Sequence, residues 1–291
     1  MDLVSGGEQR VRGLAVSPGI SLYLDIVRFC AAMAVFVGHA SGQLFTGGLL
    51  WQVAPYQRSA AIVFFVLSGF VISLVLSSRE RDLFTYARQR IARLYSVVIP
   101  ALVLTIVCDA IGLMMNPDFY YKGPWGYPSD NQILRYVLSF FFLNHTWLAP
   151  DMSPGINGPF WSLCYEASYY TFIGLIFFSS GVFRVVSVVC LALVAGPSIV
   201  ALLPVWGLGF LLHRYGTQHR MPRAAGLVAV VSGFGMLALT PLVRARFPTF
   251  PFGLAISNCE PGDYVDALAF ALQLYGAMSW HDSLARALRP H

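Results

Sequence analysis

Apolar runs of about twenty residues, long enough to cross a bilayer core as helices, recur along almost the whole chain between shorter polar stretches. The first, Leu22 to Ala40, reads LYLDIVRFCAAMAVFVGHA and predicts a helix over about 21–40. Further segments predict helices at about 59–77, 94–114, 185–200, 201–213, 224–241 and 264–280, with another in the run FWSLCYEASYYTFIGLIFF. The stretch 132–148 is apolar but short, and Asn144, His145 and Trp147 break it. Continuous runs, rather than alternating ones, argue against a barrel. The expected fold is therefore all-α: a polytopic transmembrane helical bundle of about nine apolar segments. It would occupy residues 21–280, between a cytoplasmic tail (1–20) and a C-terminal tail (281–291).

Charge orients this bundle. Ser78 to Arg93 carries five arginines against two acids, which predicts a cytoplasmic stretch leading into the third helix. Residues 115–131, rich in aromatics, Pro and Gly, predict an external interfacial loop. The basic stretch 213–223 should also be cytoplasmic. Counting spans conflicts with this if 132–148 crosses fully. A re-entrant or interfacial 132–148 removes the conflict and is the preferred reading.

Composition agrees with a membrane chain. Of 291 residues, 57% are hydrophobic and only 11% charged, where a soluble domain carries about a quarter charged. The mean hydropathy is +0.64. The net charge of +5 comes from arginines placed between apolar segments, with Lys122 the lone lysine. That pattern suits membrane orientation and anion binding better than a nucleic-acid surface. Cys30, Cys108, Cys164, Cys190 and Cys259 show no metal or redox spacing and read as small buried hydrophobes, so no metal is expected. The first helix would serve as the insertion signal, since no cleavable signal peptide is evident.

Ionisable residues inside apolar runs are the candidates for chemistry, because a charge at membrane depth is costly and usually has a task. Arg28 and His39 stand eleven residues apart, on one helical face and about 16 Å apart along the axis. Their bland reading is a snorkelling arginine and a histidine bonded to a backbone carbonyl. Arg88, Arg90 and Arg93 cluster at the start of the third helix, Arg90 and Arg93 forming an R-x-x-R pair. Guanidinium groups bind phosphate through paired hydrogen bonds; the alternative is topology setting and headgroup contact. Glu166 precedes Tyr169 and Tyr170 by three and four residues and reads either as a protonated structural group or as a catalytic partner. Asp25 most simply pairs with Arg28, and Ser68-Gly69 reads as a helix-packing contact. Asp109 stays undecided, His145 reads as an interfacial anchor, and His213, His219, His281 and His291 read as solvated. The usual nucleotide-loop, serine-hydrolase and zinc motifs are absent.

The runs LDIVRFCAAMAVFVGHA, FFVLSGFVISL, YARQRIARLYSVVIP and NGPFWSLCYEASYY, in that order, resemble the membrane acyltransferase-3 family. The resemblance rests on R-x10-H in the first helix, R-x-x-R after the second and W-S-L-x-x-E in a later one, and covers about 20–215 well. It implies a membrane enzyme that moves an acyl group, most simply acetyl, from acyl-CoA to a hydroxyl of a surface carbohydrate or glycolipid. It implies His39 and Glu166 as catalytic, and Arg28, Arg88, Arg90 and Arg93 as the grip on the coenzyme A phosphates. The partners would be acyl-CoA, the glycan acceptor and membrane lipids, without nucleic acid, in a bacterial inner membrane. Family members also end with a further helix, about the tenth, introduced by a Ser-Tyr/Leu-Tyr-Leu-x-His type segment; none precedes the final ALRPH, which reads as a truncation. Two alternatives stay open: a proton-coupled transporter or channel, and a truncated, non-catalytic relative.

Overall fold

A computed structural model describes residues 18–42, 46–78, 82–123, 126–216, 218–219, 221–250 and 256–280. The expected tails lie outside these, except for 18–20. Among the described residues the regular structure is helical: α1 (Pro18–Ala40), α2 (Gln57–Ser78), α3 (Leu83–Met115), α4 (Pro117–Lys122), α5 (Gln132–Phe140), α6 (Trp161–Phe178), α7 (Gly181–Ala195), α8 (Pro197–Leu211), α9 (Arg223–Arg246) and α10 (Pro261–Met278). Five helical stretches are long and apolar enough to cross a membrane: Gly19–Ala40, Trp51–Ser78, Leu83–Met115, Pro197–Gly216 and Arg223–Arg246. The all-α reading stands and the chain is an integral membrane protein, while five such spans, rather than nine, meet that measure among the described residues.

The chain divides into two compact units, Met1–Arg81 with Leu202–His291, and Asp82–Ala201. In the first, α2 and the latter half of α8 approach backbone to backbone. A Cβ on Gly69 would lie 2.0 Å from the Trp206 carbonyl oxygen, and one on Gly209 would lie 1.8 Å from that of Val66. Only glycine permits this approach, and the Trp206 indole donates to Ser68 Oγ at 3.1 Å across it. The packing expected of Ser68-Gly69 is what the helices use.

Polar residues join three helices at one end of the same unit. Arg58 of α2 grips Asp263 of α10 with two parallel bonds, Nε to Oδ1 at 2.8 Å and an amino group to Oδ2 at 2.6 Å. Arg244 of α9 meets Asp263 at 2.9 Å and Glu260 at 2.7 Å, and also pairs with Asp266. Asp263 and Asp266 are fully buried. Such a cluster fixes register more than it adds stability, because desolvating the charges offsets most of their attraction.

In the second unit, α3 begins eleven residues earlier than its hydropathy predicts. Asp82 caps it by accepting from the Thr85 amide at 2.8 Å, and the Arg-rich stretch that follows contains no Gly or Pro to stop a helix. Pro100, expected near the start, therefore lies in the interior of a 33-residue helix. Helix α6 packs antiparallel to α3. At one end Tyr86 donates to the Tyr170 carbonyl at 2.9 Å. At the other, Phe160 packs on Val98 and Leu102, and Asn157 donates to Thr105 Oγ1 at 2.8 Å.

Helix α5 has only nine residues, about 13 Å, less than half a bilayer core. It reaches the level of Tyr95, whose hydroxyl donates to the Phe140 carbonyl at 3.1 Å. The chain then turns back, with Phe142 in a left-handed conformation (φ 59°), and regains the level of Thr105 and Asp109 at Ile156 and Asn157. Segment 132–148 thus holds one short helix followed by a reversal of the chain, and no helix in it is long enough to cross a bilayer core.

Two side-chain expectations are overturned. His213, expected to be solvated, is 1% exposed. It sits in a π turn, Leu212–Gly216, with Nδ1 2.9 Å from Ser73 Oγ and its ring edge-on to Phe70. Of the cysteines, Cys164 and Cys259 are buried as expected, but Cys30, Cys108 and Cys190 are exposed on outward helix faces.

Candidate active site

His39 occupies the last turn of α1, in the first unit, with an exposed side chain. Its Nδ1 lies 2.7 Å from the Val35 carbonyl oxygen, one turn back. A carbonyl can only accept, so in the neutral imidazole this contact places the proton on Nδ1 and leaves the lone pair on Nε2. The backbone bond of the bland reading is therefore present, and it leaves Nε2 able to accept a proton. The adjoining Gly38 presses on α2, where an added Cβ would lie 2.7 Å from Gln57 Cβ. Arg28 stands three turns earlier on α1 and pairs with Asp25 at 2.8 Å, as the i, i+3 spacing predicts.

The other candidates lie in the second unit, on α3 and α6. Arg88 and Arg93 are exposed on the first turns of α3, whereas Arg90 is half-buried. Its guanidinium carbon lies 5.7 Å from the Tyr86 ring centroid and 5.6 Å from that of Tyr170, within cation–π range of both. Glu166, one turn before Tyr170 on α6, accepts a short hydrogen bond from the Tyr170 hydroxyl through Oε1. Arg90 and Glu166 thus meet at one tyrosine, 76 residues apart in sequence though they are. Trp161, at the start of the same helix, stands edge-on to Tyr165 with centroids 4.9 Å apart.

The six predicted residues therefore fall into two groups: Arg28 and His39 on α1, and Arg88, Arg90, Arg93 and Glu166 on the α3–α6 pair. The R-x-x-R pair divides its labour, since Arg90 is held by aromatic rings while Arg93 remains presented. Sequence reasoning overlooked Tyr86, although an aromatic four residues before an arginine on a helix is a readable signal. It also overlooked the Arg58–Arg244–Asp263 cluster, whose members are as many as 205 residues apart.

A protein-family model described as an acyltransferase domain (Acyl_transf_3) matches residues 21–282. Among curated proteins, the acyltransferase MdmB of Streptomyces mycarofaciens is 31% identical over 151 residues, which make up 50% of this chain and 36% of that relative. The aligned part thus spans little more than a third of the relative's length. No solved structure matches the chain.

Proposed function

Because the chain belongs to the membrane acyltransferase-3 family, whose model matches it from residue 21 to 282, we propose that it transfers an acyl group, most simply acetyl, from acyl-CoA to a hydroxyl of a surface carbohydrate or glycolipid, in a bacterial inner membrane. The observation that carries this reading is the meeting of Arg90 and Glu166 at Tyr170, which joins the residues of two separate motifs in one cluster. Arg88 and Arg93, exposed beside it, supply guanidinium groups for the phosphates of coenzyme A. Arg90, held between tyrosine rings, fixes the side of α3 that presents them. His39 Nε2 takes the proton of the attacking hydroxyl, or accepts the acyl group itself before passing it on. Glu166 orients the acceptor, its own position set by the Tyr170 hydroxyl.

Initial rates in isolated membranes, with acyl-CoA and glycan acceptor varied separately, test these assignments. Arg93→Gln should raise KM for acyl-CoA by about tenfold, as loss of a charge-assisted phosphate contact does, and leave KM for the acceptor unchanged. His39→Ala should lower kcat by at least about 100-fold. An Arg93 variant with an unchanged donor KM, or a His39 variant with parental kcat, overturns the corresponding role.

A further inference from the structure

The second unit holds a serine, a histidine and an aspartate in the order of a nucleophile, its base and the group that orients the base. In the loop that returns from α5 to α6, His145 Nε2 lies 2.8 Å from Ser153 Oγ. On the other side of the ring, His145 Nδ1 lies 3.6 Å from Asp151 Oδ1. None of the three belongs to the residues assigned above, and no short motif marks them, because the nucleophile follows its base by eight residues within an irregular loop.

Two contacts and a backbone turn build this arrangement. The Met152 amide donates to the Asn144 carbonyl at 3.0 Å, drawing the two limbs of the loop together. Arg135 donates to the Asp151 carbonyl at 3.1 Å while pairing with Asp130. Asp151 takes a left-handed conformation (φ 55°), which turns the chain between the carboxylate and Ser153. The His145 side chain is 7% exposed, and Ser153 is half-buried at the surface of the loop.

The chemistry follows from the tautomer. A carboxylate on the Nδ1 side favours the proton there, so Nε2 carries the lone pair and faces the Ser153 hydroxyl at the distance a general base requires. Burial keeps the imidazole below its ordinary pKa of 6.5, against the opposing charge of Asp151, and hence neutral at pH 7. Position matters as much. Ile156 and Asn157, just beyond Ser153, dock on Asp109 and Thr105, roughly 22–28 Å along α3 from Arg90. An acyl group gripped at the arginine end and delivered to a surface hydroxyl must cover about that distance.

We propose that Ser153 is a second acyl-carrying nucleophile, activated by His145, at the end of the α3–α6 pair remote from the arginines; this rests on the acyl-transfer reading above. Ser153 Oγ attacks the carbonyl carbon of a thioester and His145 Nε2 takes the hydroxyl proton. A C–O bond forms, the C–S bond breaks, and the leaving thiolate takes that proton from His145. The acceptor hydroxyl then attacks the acyl-serine ester, giving its proton to His145. The bond to Ser153 Oγ breaks, and Oγ recovers the proton. Asp151 is a positioning residue, and its 81% exposed side chain limits its effect, since a solvated charge acts weakly at that distance.

The purified full-length chain, treated with p-nitrophenyl acetate and mapped by peptide mass spectrometry, tests the proposal. The expected result is an acetyl ester on Ser153, formed at least about 100-fold more slowly in His145→Gln and less than about tenfold more slowly in Asp151→Asn. A Ser153→Cys variant, which keeps a nucleophile, should take the acetyl group as a thioester and shows that the loop still folds. No adduct on Ser153 in the parent chain overturns the proposal, as does adduct formation at a parental rate in His145→Gln. Transfer from labelled acyl-CoA to glycan separates this proposal from the one it rests on. Parental transfer by Ser153→Ala with none by His39→Ala removes Ser153 and leaves the acyltransferase reading intact. An adduct on Ser153 in a parent chain that transfers nothing to glycan removes that reading instead.

Discussion

Replacing Tyr170 by Phe removes one hydroxyl from the cluster that joins the two motifs and leaves its ring in place. The ring continues to face the Arg90 guanidinium, whose carbon lies 5.6 Å from its centroid, so the cation–π contact survives. What disappears is the short hydrogen bond that the hydroxyl donates to Glu166 Oε1. A hydrogen bond to a charged group contributes about 1.5–3 kcal/mol, which corresponds to a factor of about 10–150 if Glu166 must be held in place during the reaction. Glu166 is half-buried, so water replaces part of the lost bond and the lower end of that range is expected. The assay is kcat/KM for acyl-CoA in isolated membranes, at expression matched by immunoblot, for Tyr170→Phe, Glu166→Gln and the double variant. If the hydroxyl acts through Glu166, the double variant should be no worse than Glu166→Gln alone, which is strong coupling in a double-mutant cycle. Additive losses, or a Tyr170→Phe chain at the parental rate, would refute the reasoning.

Asp263→Ala strips Arg58 and Arg244 of a shared, fully buried carboxylate; a loss of about 3–5 kcal/mol is expected, read as a lower midpoint of thermal unfolding in detergent, and an unchanged midpoint would show that the cluster is not rigid. The pH dependence of that midpoint should carry a contribution from His145. Its pKa is lowered in the fold from 6.5, chiefly by burial and against Asp151, so the native state favours the neutral ring. The associated stability is present above pH 6.5 and is lost as the pH falls from there through the lower native value. The parent should therefore lose more midpoint between pH 7.5 and pH 5 than His145→Gln does, and parallel curves would contradict this. Single cysteines at Asp130 and Asp151, in a background without the native five, should react with an impermeant maleimide from the same membrane face, because the chain reverses after α5 and regains the level of Asp109 on α3; labelling from opposite faces would restore a full span.

Contacts within one or two helical turns were legible from the chain. Asp25 with Arg28, Glu166 with Tyr170 and His39 with a backbone carbonyl follow from i, i+3 and i, i+4 spacing, which a helix enforces without help from the rest of the fold. Ser68-Gly69 was legible as a packing contact because small residues in an apolar run have few other uses, but its partner Trp206 was not. The start of α3 was missed for the opposite reason: hydropathy marks where a helix enters lipid, whereas the helix itself is set by the Asp82 cap and a charged, helix-competent stretch. The reversal after α5 includes a left-handed residue, Phe142, that no Gly announces. The Arg58–Asp263 grip and the meeting of Arg90 with Tyr170 join distant segments, and single-sequence periodicity carries no such information. Ser153, His145 and Asp151 were visible only once the loop was folded, since their spacing matches no motif.

The most direct test of the central claim is transfer of radiolabel from acetyl-CoA to a cellular glycan extract by membranes bearing this chain or its His39→Ala variant at equal abundance. Label in the glycan with the parent, and none above background with the variant, is the predicted result. Equal label with both would take His39 out of the chemistry, and no label with either would contradict the acyltransferase reading of the chain.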